Sequence, residues 1–242
     1  MIYKRYKCRP APDCRHMERR ASGLQIDAFA MDLDGTLTSG GQPLKPELVD
    51  AMKRMRERGV KLILVTGRCS GEAMKITGDG LFDAIVSENG AMLTVGSARE
   101  PQAPDGWAEE RARLLPRFEK GCEEVIISSS IENLALARSL VSGLSSVQVN
   151  KDRLMIVPMG VEKGSGLASV LKMLNLSPDR TVCVGDGEND VPMFDVSGFK
   201  VALANSVDAL KQRADYIAGS SDGEGTMEAI RDLFRGSADS TP

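Results

Sequence analysis

The chain has 242 residues, 42% of them hydrophobic and 27% charged, with a net charge of −3. This suits one large globular domain or two small ones, and it gives no general drive toward nucleic acid or a membrane surface. No apolar run approaches the roughly 18 residues of a membrane span, and aromatics at 4% leave little for base stacking. The five cysteines, Cys8, Cys14, Cys69, Cys122 and Cys183, are scattered and odd in number. That pattern points to a reducing, cytoplasmic compartment rather than a disulfide scaffold. Cys69 and Cys183 are expected as small apolar fillers. Cys8, Cys14 and His16 lack both a zinc spacing and a fourth ligand.

Residues 1–24 differ from the rest. The first twenty hold seven basic and two acidic residues, a net of +5, with neither the apolar core of a signal peptide nor any helical or strand period. They are expected to form a disordered basic tail, with Met17 as an alternative start. From Ile26 onward apolar runs and helical patterns alternate, which predicts an α/β fold with a parallel sheet covered by helices. Ile26–Met31 reads as a buried strand and runs into Asp32-Leu33-Asp34-Gly35-Thr36. Pro46 is placed to open a helix with Leu48, Met52 and Met55 on one face, stopped at Gly59. Val60–Val65 is the next strand and ends in Thr66-Gly67-Arg68. A short helix follows near Glu72–Ile76, then a strand at Ala84–Val86 and the turn Ser87-Glu88-Asn89-Gly90.

Residues 89–159 break the rhythm. Helices are predicted from Trp107 to Pro116 and from Ile131 to Leu144, with strands at Val125–Ile127, Val147–Val149 and Leu154–Val157. This block reads as a smaller inserted α+β domain, flanked by core segments 25–88 and 160–236, with a disordered tail at 237–242. The parent pattern resumes with a helix opened by Lys163. A buried strand at Thr181–Val184 leads into Gly185-Asp186-Gly187-Glu188-Asn189-Asp190, and further strands follow at Lys200–Leu203 and Ala214–Ile217.

In a parallel sheet the strand ends share one edge, so Asp32/Asp34, Thr66, Lys163 and Asp186/Asn189/Asp190 converge on one pocket. Two carboxylates two residues apart are tolerated when a cation neutralises them or when one keeps a proton. A calcium loop would need a regular ladder of oxygen ligands after Asp34, and Leu37 breaks it. Carboxylates, one ammonium and one hydroxyl suit a magnesium ion and a phosphoryl group. Taken singly, Thr66 and Asp186 are also plausible helix caps and Lys163 a surface lysine; Arg68 is expected to be structural.

These segments resemble, in order, the four motifs of the haloacid dehalogenase superfamily of phosphatases. The match covers roughly Ile26 to Phe234, and the insertion is similar to the C2-type caps of that superfamily. The compact cap and the approach Pro158-Met159-Gly160-Val161-Glu162-Lys163 look most like the archaeal-type phosphoglycolate phosphatases. The resemblance implies a Mg2+-dependent phosphomonoesterase that hydrolyses 2-phosphoglycolate. Asp32 would be the nucleophile, forming an aspartyl-phosphate, and Asp34 the general acid and base. Thr66, Lys163 and Asn189 would bind the phosphoryl group or orient its neighbours. The metal would be held by Asp32, the Asp34 backbone carbonyl and Asp186, with Asp190 acting directly, through water or through Lys163.

A cap cation for the substrate carboxylate is expected among Arg113, Arg117, Arg138, Lys151 and Arg153. The implied partner is a small phosphorylated metabolite, and the chain a monomer or homodimer. A sugar-phosphate phosphatase, a phosphomutase and a phospho-accepting receiver domain share parts of this inventory. The receiver lacks both an acid for turnover and a cap.

Overall fold

The computed structural model describes residues 25–234 apart from Lys151; the two expected tails lie outside the described residues. In chain order the main elements are β1 (Ala28–Met31), α1 (Pro46–Glu57), β2 (Lys61–Val65), α2 (Ser70–Thr77), β3 (Ala84–Ser87), β4 (Met92–Val95) and β5 (Ala98–Pro101). Then come α3 (Trp107–Leu114), β6 (Ile127–Ser130), α4 (Leu134–Leu140), β7 (Ser145–Asn150) and β8 (Arg153–Pro158). The chain closes with α5 (Lys163–Met173), β9 (Thr181–Gly185), α6 (Val191–Val196), β10 (Phe199–Ala202), α7 (Asp208–Lys211), β11 (Tyr216–Ile217) and α8 (Asp222–Phe234).

An eight-stranded sheet runs in the order β11-β10-β9-β1-β2-β3-β4-β5. Its six strands from β11 to β3 pair in parallel. From β1 the chain first builds outward through β2 and β3, then returns to build outward from β9 on the other side. The switch point is therefore between β1 and β9, where a parallel sheet opens a crevice at its carboxyl edge. Strand alternation sorts the side chains. Phe29, Met31, Leu62 and Leu64 pack with Leu48, Met52 and Met55 of α1 and Ile230 of α8. Ala28, Ala30, Ile63 and Val65 pack on the opposite face with Leu167 and Val170 of α5 and Phe194 of α6. Near-continuous apolar strands are what burial on both faces demands. Helix α1 forms as its sequence predicts: Pro46 opens it, Glu47 sits in the first turn, and Arg54 and Arg56 in the last, favourably for the helix dipole.

The expected domain boundary at residue 89 moves. Strands β4 and β5 form a hairpin that pairs antiparallel with β3 and extends the core sheet. Met92–Val95 alternates in register with Ala84–Ser87, so sheet pairing retains it in the core. The separate unit is the three-stranded antiparallel sheet β6-β8-β7 with α3 and α4 and its own core, including Trp107, Leu114, Ile126, Leu154 and Ile156. The expected helix at 131–144 is shorter: a 3-10 turn at Ile131–Asn133 leads into α4, which ends at Leu140.

Glu88, fully buried, joins the two units. Its carboxylate accepts hydrogen bonds from the backbone N–H groups of Glu124, Val125 and Ile126 at 2.8–3.1 Å. A charge so deeply buried is tolerated because three donors satisfy it.

Candidate active site

Asp32 follows β1 and Asp186 follows β9, so the two strands flanking the switch point each deliver a carboxylate to the crevice. Lys163, the first residue of α5, enters from the other side. Its ammonium, 1% exposed, donates to Asp32 Oδ1 and Asp190 Oδ1, both at 2.6 Å. Glu162 and Ser165 form a reciprocal capping box that fixes the start of this helix. Gly166 lets the helix lie close: a Cβ there would meet Gly90 Cα at 2.8 Å. Asp190 uses its second oxygen to accept from the backbone N–H groups of Asp186 and Gly187, both at 2.9 Å. Of the three routes open to Asp190, the one through Lys163 has a direct contact.

The oxygens of Asp32, Asp186 and Asp190 lie within 4.8 Å of one another and all three residues are buried. Burial pushes the Asp32 carboxyl up to about 8, with Asp190 and Asp186 adding to the rise and Lys163 opposing it. Burial works against the Lys163 ammonium, but the charges of Asp190 and Asp32 outweigh it and hold the group above its ordinary range. A buried all-oxygen cluster with net negative charge fits a hard divalent cation such as magnesium. Gly35 is shaped for this arrangement: its φ is +90°, and a Cβ there would lie 2.3 Å from Asp186 Oδ2. The Asp186 carboxylate is further oriented by Thr36 Oγ1 at 3.3 Å and Asn205 Nδ2 at 3.4 Å.

The crowding that spacing suggested between Asp32 and Asp34 falls instead among Asp32, Asp186 and Asp190. Asp34 is half-buried and turned to Arg68, which grips it in a two-pronged pair, Nε to Oδ2 at 2.6 Å and an Nη to Oδ1 at 2.8 Å. Arg68, expected to be structural, therefore holds the residue nominated as acid and base. Its position two residues after Thr66, at the end of β2, was the available signal. Thr66 is buried and its Oγ1 accepts from the Arg68 backbone N–H at 3.2 Å, which shapes the turn that aims Arg68. Thr66 is not among the residues lining the cavity. Asn189 donates to Asn89 Oδ1 at 3.3 Å, and Asn89 donates to Gln148 on the cap strand β7. This chain of amides links the Asp186 loop to the cap, a contact no local pattern announced.

The site opens into a cavity of about 490 Å³ between core and cap, walled by Asp32, Asp34, Arg68, Lys163 and Asp186 below. From the cap come Cys122, Ser128, Asn150, Arg153 and Met155. Among the expected cap cations, Arg153 lines this cavity. Arg113 is taken up by Glu110 and the Leu140 carbonyl. Arg117 and Arg138 are exposed away from the cavity lining. Lys151 lies outside the described residues. Cys69, expected as an apolar filler, is instead bonded to Cys122 of the cap, with Cα atoms 6.1 Å apart. Cys183 is a free, buried filler as expected. Among the described residues no helix is long and apolar enough to cross a membrane.

The sequence matches the haloacid dehalogenase-like hydrolase family over residues 29–100 and 125–230. It is 32% identical over 220 residues to a phosphoglycolate phosphatase of Archaeoglobus fulgidus, covering 85% of this chain and 96% of that one. It is 28% identical over 215 residues to a phosphoglycolate phosphatase of Methanothermobacter thermautotrophicus, covering 84% and 97%. The fold is similar to that of a subclass IIB sugar phosphatase of the same superfamily, with a TM-score of 0.69 at 17% identity over 87% of this chain and 98% of the other. The chain belongs to the haloacid dehalogenase-like hydrolases and is a phosphoric monoester hydrolase.

Proposed function

We propose that the protein is a magnesium-dependent phosphomonoesterase that works through an aspartyl-phosphate, with 2-phosphoglycolate as its main substrate. The observation that carries the reading is the buried cluster of Asp32, Asp186 and Asp190, with Lys163 bridging Asp32 and Asp190, beside a cavity that Asp32, Asp34, Lys163 and Asp186 line. Asp32 attacks the phosphorus and the leaving oxygen takes a proton from Asp34. Asp34 then takes a proton from water, whose attack releases phosphate and restores the Asp32 carboxylate. Lys163 uses two of its three N–H donors on Asp32 and Asp190, and the third is left for a phosphoryl oxygen. Asp32, Asp186 and the Asp34 carbonyl would hold a magnesium ion. When bound, that ion neutralises phosphoryl charge in the transition state. Phosphate monoesters hydrolyse so slowly unaided that the site must lower the barrier by up to ~20 kcal/mol or more, and preorganised opposite charge is the largest available source.

The substrate assignment draws on the phosphoglycolate phosphatases that the chain resembles and on Arg153. A small ester bearing a second anion fits a 490 Å³ cavity with a guanidinium in its cap wall. Such a metabolite also supports a cytoplasmic location. The test is phosphate release from phosphoglycolate, phosphoglycerate, hexose phosphates, nucleotides and p-nitrophenyl phosphate, with and without magnesium, beside an Asp32→Asn variant. Metal-dependent release concentrated on phosphoglycolate and lost in the variant is expected. Equal release from all esters would withdraw the substrate, and release that survives Asp32→Asn would withdraw the mechanism.

A further inference from the structure

The Cys69–Cys122 bond joins a buried residue just behind the cavity-lining Arg68 to a cap residue of the lining, 53 residues away in sequence. Cys69 directly follows Arg68, whose side chain holds Asp34, and it immediately precedes α2. Cys122 sits in the cap segment Gly121–Glu123, which lines the cavity. The two residues differ in access: Cys69 is buried and Cys122 exposed. Beyond Cys122 the segment is already fastened to the core, by Glu88 to the backbone of 124–126 and by Arg99 to Glu124 at 2.7 Å. Before Cys122, residues 119–121 are mostly exposed, and the disulfide is their nearest anchor. In a reducing compartment a disulfide persists as a transient or sensing bond rather than as a scaffold. A disulfide with one partner in an exposed residue of a cavity lining is the kind that exchanges.

We propose that Cys69 and Cys122 form a reversible thiol–disulfide site whose oxidised state pins the 119–123 wall against Arg68 and restricts the cavity. Oxidation needs a disulfide-bearing partner, either a small-molecule disulfide or a dithiol oxidoreductase. The Cys122 thiolate attacks one partner sulfur, forms a mixed disulfide and expels one partner thiol. The Cys69 thiolate then attacks Cys122 Sγ and expels the second. Two protons and two electrons leave the protein, and the partner disulfide ends as two thiols. Reduction runs the same exchange backward, starting at exposed Cys122. Once released, the wall admits bulkier esters and exchanges product faster.

Three measurements on the full chain test this, and two are independent of its activity. Peptide-resolved alkylation after treatment with oxidised glutathione should find Cys69 and Cys122 blocked, and both labelled after dithiothreitol. Cys69→Ser should instead trap glutathione on Cys122. Trypsin should cut after Arg117 and Lys120 several-fold faster in the reduced protein, and Cys69→Ser/Cys122→Ser should cut at the fast rate in either condition. The ratio of kcat/KM for p-nitrophenyl phosphate to that for phosphoglycolate should rise several-fold on reduction and stay unchanged in the double variant. This kinetic arm alone rests on the proposed phosphatase reading. Both cysteines labelled in the oxidised sample, or identical cleavage in the two redox states, would overturn the proposal.

Discussion

Lys163→Met removes the only positive charge that contacts Asp32 and Asp190 among the described ion pairs. The ammonium is 1% exposed and Asp190 is fully buried. At an effective dielectric of about 20, each close pair is worth roughly 4–5 kcal/mol, so two pairs contribute about 8–10. Returning the ammonium to water recovers several kcal/mol of its desolvation penalty, which leaves a net loss of about 3–5 kcal/mol. A domain with 5–15 kcal/mol of stability would lose a large share of it. The loss has a pH signature. Asp32 is already raised from its ordinary 3.8, and without Lys163 the carboxylate is raised further. A carboxyl raised in the folded state penalises folding only where the unfolded chain ionises. Below about pH 8 the Asp32 carboxyl is protonated in both folded proteins and penalises them equally, so the variant's extra deficit from this group opens only as pH rises above about 8. Urea unfolding followed by circular dichroism at about pH 7 and about pH 9.5, without added metal, measures both terms. A second variant, Lys163→Met/Asp190→Asn, removes one stranded charge and should recover part of the loss, as a coupling between contacting residues. The single variant should also lose about 10²–10³ in kcat. A wild-type unfolding midpoint at both pH values would refute the reasoning.

Three further expectations follow from other parts of the molecule. Arg153→Ala should raise KM for phosphoglycolate about tenfold or more, the worth of a charged hydrogen bond, while kcat/KM for p-nitrophenyl phosphate stays within about twofold; parallel losses on both esters would remove Arg153 from carboxylate recognition. Gly35→Ala places a Cβ against Asp186 at a φ of +90°, so the magnesium concentration for half-maximal activity should rise at least about tenfold, and an unchanged magnesium titration would count against Asp186 as a ligand. Glu228 accepts from the N–H groups of Gly219 and Ser220 and from the Tyr216 hydroxyl, and these bonds outweigh burial and hold its carboxyl below the ordinary value. A depressed carboxyl stabilises the fold above its unfolded value and loses that contribution in acid, so Glu228→Gln should lower Tm by about 2–4 °C or less at pH 7. The gap from wild type should close below about pH 4, and a gap that widens in acid would contradict the sign.

Most of the core was legible because its signals are local. Asp32 and Asp186 each follow an apolar strand, and parallel strands share a carboxyl edge whatever their order. Helix α1 carries its start, its buried face and its stop within fourteen residues. The cap was legible as a change of rhythm, but its boundary was not. Met92–Val95 has the same alternating pattern whether it joins the core sheet or a new one, and only its pairing with β3 decides. The role of Arg68 was hidden for a related reason. An arginine after a strand reads the same on the surface as beside Asp34, 34 residues away.

The sequence by itself determined the fold class and the family, and it nominated four carboxylates and one lysine for the candidate site, since each lies in a short segment whose chemistry is complete within it. Tertiary structure alone decided which charges meet. Lys163 lies 131 residues from Asp32 and 27 from Asp190, and Asn189 reaches Asn89 across 100. Cys69 and Cys122 are two unremarkable residues until the cap folds over the core. Such contacts depend on where whole elements pack, and packing is set by the summed burial of two sheet faces and a cap core, to which no single residue pair contributes a readable pattern.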